Sequence, residues 1–163
     1  MRRSVRLTVA ATLAAMGSVV FLSTALAQNA PPTPEEQAKQ AVLVRKSVFE
    51  VMSWNFSPLA AMLRKRIPFD AEVAQKAAIR VEQMAPMIID AFQQDTRKFQ
   101  VETRAREAVW SNKADFDAKA NDLVKAAAAL TAAAKTGDQA QTLKAAAQVG
   151  KVCGACHDSF RTD

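Results

Sequence analysis

Cys153-Gly154-Ala155-Cys156-His157 carries both cysteines and the only histidine of the 163-residue chain. Two thiols and an imidazole at C-x-x-C-H spacing are the pattern of c-type haem attachment. On a helix successive residues turn by about 100°, so Cys153 and His157 stack on one face and Cys156 lies to the side. Both sulfurs then reach the two vinyl groups on one porphyrin edge, and the imidazole stands under the iron as proximal ligand.

Three other chemistries use such residues. A thioredoxin-like redox pair places its CxxC at a helix N-terminus within a βαβ pattern, and no strand pattern appears in this sequence. A structural zinc site needs four ligands, one more than the motif offers unless subunits share the ion. A plain disulfide leaves the adjacent histidine unexplained. Covalent haem accounts for all three side chains.

Outward from the motif, Leu143, Ala146, Gly150, Cys153, His157 and Phe160 recur at steps of three and four, the pattern of one buried helical face. This last helix therefore turns Cys153 and His157 toward the interior, with Asp138 as its cap. Gly137 closes the helix before it, after Lys135. That third helix carries Phe116, Leu123 and Leu130 at two-turn intervals, with Ser111 as its cap. Its runs of alanine, the strongest helix former, let a neighbouring helix or a flat macrocycle approach closely.

Residues 93–106 are polar and unpatterned apart from Phe99 and Val101, which reads as a long connection, with Trp110 anchoring the next element. Before it, Asp70 caps a second helix bearing Val73, Ala77, Val81, Met84, Ile88 and Ala91, bent at Pro86. Thr33-Pro34-Glu35-Glu36 opens the first helix as a capping box with proline at the first helical position. There Val42, Arg45, Phe49, Met52, Phe56, Leu59 and Leu63 form an interior seam broken only by Arg45, and Pro58 kinks its end. The fold expected is all-α, an antiparallel up-down-up-down four-helix bundle with its cofactor site between facing helices.

Residues 1–27 read as an export signal. Arg2, Arg3 and Arg6 precede an apolar run that closes on Ala25-Leu26-Ala27. Residues 28–163 are then one haem domain, opened by the proline-rich linker 28–34. Removing the three arginines halves the formal net charge of +6. No long basic run and no aromatic-basic interleaving supports nucleic-acid binding, and once the signal is cleaved no membrane anchor is expected. With four glycines in the chain, a glycine-rich phosphate loop is excluded, and no Ser/His/Asp constellation is visible, so no catalytic residue is assigned. Export to the periplasm agrees with haem attachment, which for c-type haem takes place outside the cytoplasm.

The near-terminal C-x-x-C-H followed by Phe160 and Arg161, the stretch Arg45-Lys46-Ser47-Val48-Phe49 with Met52 and Phe56, the turn Pro68-Phe69-Asp70 and Trp110 together resemble the cytochromes c′, class II of the c-type cytochromes. The resemblance covers nearly the whole chain after the signal. It implies one covalent haem c on Cys153 and Cys156, with His157 as axial ligand, an open distal side, and NO or CO binding or electron transfer rather than catalysis. It also implies homodimers with crossing first helices, and small redox proteins as partners. Lys46 beside Arg45 and a longer connection before Trp110 depart from many members.

The pocket expected around the haem comprises Arg45, Lys46, Phe49, Met52, Phe116 and Arg161. Arg45 should pair a propionate, because a guanidinium on an apolar seam needs an anion there. Arg161 should lie one turn beyond His157 on the same helix, on the proximal side. Phe49 stands where low-spin relatives carry their ligating methionine, and a phenyl ring offers iron no lone pair. The iron should then be five-coordinate and high-spin. The alternative is a low-spin, six-coordinate electron carrier with Met52 as distal ligand.

Overall fold

The three-and-four spacing of apolar residues becomes six helices among residues 31–162, which a computed structural model describes. The signal expected at 1–27 and the first residues of the linker lie outside these described residues. The helices are α1 (Pro34–Leu63), α2 (Ala71–Met84), α3 (Met87–Ala91), α4 (Ala108–Ser111), α5 (Lys113–Lys135) and α6 (Gln139–Phe160). The long members α1, α2, α5 and α6 make the antiparallel four-helix bundle, while α3 and α4 are short turns at either end of the long connection.

Local chemistry sets most of the boundaries. Asp70 accepts from the Val73 amide at 2.9 Å and Asp138 from the Gln141 amide at 2.8 Å, the two caps expected for α2 and α6. Gly137, at φ 73°, takes the left-handed turn that ends α5. In α1 the helix runs through Pro58. The Trp54 carbonyl, deprived of the amide that proline lacks, accepts the Ser57 hydroxyl at 2.8 Å instead.

Two expectations are corrected here. Pro86 interrupts the second helix rather than bending it, and bonding resumes with a shorter period, Ile89 N–H to the Pro86 carbonyl. Ser111 does not cap the third helix. It closes α4, its hydroxyl on the Glu107 carbonyl, and Asn112 occupies the start of α5.

The core is built from small and branched side chains: Leu59, Val81, Val109, Leu130 and Val149 are essentially inaccessible, with alanines at Ala74, Ala78, Ala127 and Ala146 between them. These alanines allow α5 to lie close against both α2 and α6, whereas the α1 backbone stands further off. The space so left, between α1 and the α5–α6 pair, is the site. Val73, expected on the inner face of α2, is 39% exposed, because the buried row runs through Ala74, Ala77, Ala78 and Val81. No strand occurs among the described residues, and a single antiparallel bridge joins Ala105 to Arg161. No helix among them is long and apolar enough to cross a membrane.

Candidate functional site

Because α6 is helical through Phe160, Cys153 and His157 do lie one above the other, and both are half-buried beside Cys156. The thiols are free, not a disulfide. Burial pushes both thiols up from the ordinary cysteine range. The CxxC also sits near the C-terminal, negative end of its helix, which disfavours thiolate further. A redox dithiol needs the opposite on both counts. Burial, assisted by the Arg161 charge, holds the His157 imidazole below its ordinary pKa, in the neutral form that ligates iron. For zinc, no group of three or more His, Cys, Asp or Glu is placed to hold an ion among the described residues.

All three side chains of the motif open on one cavity of about 440 Å³, within the roughly 300–1,000 Å³ usual for cofactor pockets. Its walls bring together every pocket residue expected from sequence: Arg45, Lys46, Phe49 and Met52 from α1, Phe116 from α5, and Arg161 beyond α6. Met52 and Phe116 are buried, Phe49 is 36% exposed, and Lys46 and Arg161 are exposed. An apolar slot with two thiols, a neutral imidazole at one side and cationic groups around it fits a haem with its two propionates.

Arg161 stays beside His157 at the cavity, but not as a further turn of the same helix. The helix ends at Phe160, and Arg161 is extended at φ −122° and ψ 137°. The connection competes for the chain at this point: Arg106 N–H donates to the Phe160 carbonyl at 2.9 Å and Thr162 N–H to the Arg104 carbonyl at 2.9 Å. The Arg106 guanidinium adds a bond to the Asp158 carbonyl. Thr103, Arg104 and Ala105 thereby become part of the cavity wall, a role invisible in an unpatterned stretch of sequence. Lys119 was also missed, although it follows Phe116 by three residues and so shares its face.

Arg45 is 3% exposed, and its head finds partners within the chain. Nε donates to the Ala91 carbonyl at 2.8 Å, Nη1 to the Thr96 hydroxyl at 2.9 Å and Nη2 to the Gln94 carbonyl. The guanidinium carbon lies 4.8 Å from the centre of the Phe92 ring and 5.1 Å from that of Trp110. Three neutral acceptors, two ring faces and the nearby Asp95 charge hold the guanidinium, and Arg45 also lines the cavity.

The family model described as Cytochrome C' matches residues 40–161, the whole of this architecture apart from the start of α1. The chain belongs to the cytochrome c′ family. Cytochrome c′ of Rubrivivax gelatinosus is 38% identical over 74% of this chain and 93% of its own length. The structure of cytochrome c prime from Shewanella frigidimarina superposes with a TM-score of 0.73 at 35% identity, over 77% of this chain and 97% of that one. A variant of cytochrome c prime from Alcaligenes xylosoxidans, described as a nitric oxide complex, gives a TM-score of 0.70 at 27% identity, over 77% and 96%. As a cytochrome c′ the protein carries covalently bound haem c.

Proposed function

We propose that this cytochrome c′ is a periplasmic gas-binding and electron-transferring protein, joined to one haem by Cys153 and Cys156, with His157 as axial ligand and the distal side left to Phe49. Haem supplies an iron that changes charge by one electron and accepts a diatomic ligand. The protein supplies a neutral imidazole, a largely apolar enclosure and, in Lys46, Arg104, Lys119 and Arg161, cations at the wall for the propionates. The solved nitric oxide complex of the Alcaligenes relative supports NO as a ligand.

The observation that carries the proposal is the Phe49 ring. It lines the cavity from α1, half-exposed, and meets Phe92 edge-on at 6.2 Å. A phenyl group neither ligates iron nor donates a hydrogen bond, so it disfavours O₂, which relies on a distal donor, more than NO or CO. Visible spectra of both oxidation states test it. Broad five-coordinate, high-spin bands are expected, and sharp split ferrous bands would transfer the distal place to Met52. One observation favours that second reading, since Met52 lines the same cavity.

A homodimer through α1 is part of the same proposal. Leu43, Val44, Val51 and Trp54 are 55%, 41%, 48% and 69% exposed. At 100° per residue they form a stripe on the side of α1 away from Met52 and Leu59. One helix needs only one apolar face to join its own bundle, and a second apolar face marks an interaction surface.

A further inference from the structure

We infer that Arg45 is the positioning residue of the distal gate: its guanidinium fixes Phe92, and Phe92 in turn fixes the ring of Phe49. This rests on the proposal that Phe49 covers the distal side. After Ala91 the helix gives out, and the Phe92 and Gln93 amides keep long bonds of 3.2–3.3 Å to the Ile88, Ile89 and Asp90 carbonyls. Arg45 replaces what the helix no longer provides. Its fork takes the carbonyls of Ala91 and Gln94, one on each side of Phe92, and reaches on to the Thr96 hydroxyl. Its guanidinium carbon lies over the Phe92 ring, 4.8 Å from the centroid.

Phe92 is 5% exposed and has three aromatic neighbours, Phe49 at 6.2 Å, Trp110 at 6.2 Å and Phe116 at 4.9 Å. Of these, Phe49 is the one at the cavity mouth with room to move. Arg45 and Phe49 lie four residues apart on α1, on one face, so the helix, the guanidinium and the two rings close a small circuit. A ring packed edge-on against a pinned neighbour has fewer orientations open to it than one packed against a loose loop. Ligand entry, which requires Phe49 to swing aside, then depends on a side chain that need not touch the ligand at all. Only arginine has the geometry, since a lysine keeps the charge but carries its donors on one nitrogen and has no planar face.

The test is a double-mutant cycle on the full-length, haem-loaded protein, with CO association followed by flash photolysis and amide exchange read at Phe92 and Gln93. Arg45→Lys should raise the CO association rate about tenfold, the lower end of what one lost charge-assisted hydrogen bond is worth. It should also speed exchange at Phe92 and Gln93. In a Phe49→Ala background the same substitution should leave the CO rate unchanged, because the ring through which Arg45 acts is gone. Thr96→Val, which removes one acceptor only, should move rate and exchange the same way by a smaller factor, and serves if Arg45→Lys fails to fold. An equal rise in both backgrounds would overturn the inference. So would an unchanged CO rate with a shifted reduction potential, which would return Arg45 to a propionate. If Phe49→Ala itself leaves CO binding unaltered, the Phe49 gate falls first. If Phe49→Ala binds faster and neither Arg45→Lys nor Thr96→Val does, the inference alone is wrong.

Discussion

Phe49 and Leu130 show how differently one substitution acts at the mouth of the cavity and in the core. Leu130 is fully buried on α5, so Leu130→Ala should cost about 2–5 kcal/mol, as buried leucines do, and lower the denaturant midpoint without altering CO kinetics. Phe49 is 36% exposed, and less of its surface is exchanged with water on truncation. Phe49→Ala should therefore cost about 1–2 kcal/mol, below the range for a buried phenylalanine, while CO binds faster and tighter. Flash photolysis beside a urea titration separates the two effects. A stability loss with no kinetic gain would make Phe49 a packing residue only.

Among the elements, α6 bears the motif and is held at both ends by groups outside it. At its start Asp138 accepts from the Gln141 amide. Asp138→Ala should cost about 1 kcal/mol, seen as a lower melting temperature with an unchanged visible spectrum, since the cap lies far along the helix from His157. At its end the Arg104–Arg106 backbone stops the helix and turns Arg161 toward the cavity wall. The start was legible, because an aspartate before a periodic run has one physical meaning. The end was not, because it is decided by a segment more than fifty residues earlier in the chain. The break at Pro86 falls between these cases: proline announces an interruption, but whether a helix bends or restarts depends on the packing around it.

For the whole molecule the question is what covers the second apolar face of α1. Trp54→Glu would place a charge at the C-terminal end of the stripe it forms with Leu43, Val44 and Val51, and light scattering at tens of micromolar should then report a monomer where the native protein reports a dimer. A native monomer would refute the dimer. Because the stripe faces away from Arg45 and Met52, the visible spectrum should not change with the substitution. Trp54 is the most exposed member of the stripe, and sequence alone did not single it out.

The four long helices, the Asp70 and Asp138 caps and the motif at the end of α6 were determined by the sequence itself, because each depends on residues within a turn or two of one another: a spacing, a cap, a C-x-x-C-H. Local spacing also placed Phe49, Met52, Phe116, Cys153 and His157 on inward faces, and the cavity they share follows once those faces meet. Only the tertiary structure decided where the long polar side chains end. Arg45 was legible as an inward cation, but its acceptors at Ala91, Gln94 and Thr96 lie in a connection with no periodicity, and a guanidinium on several rotatable bonds chooses among partners by what the fold brings within reach. The same holds for Arg161, whose backbone conformation is set by pairing with Ala105. Spacing fixes which face a side chain leaves from, and packing of distant segments fixes what it meets there.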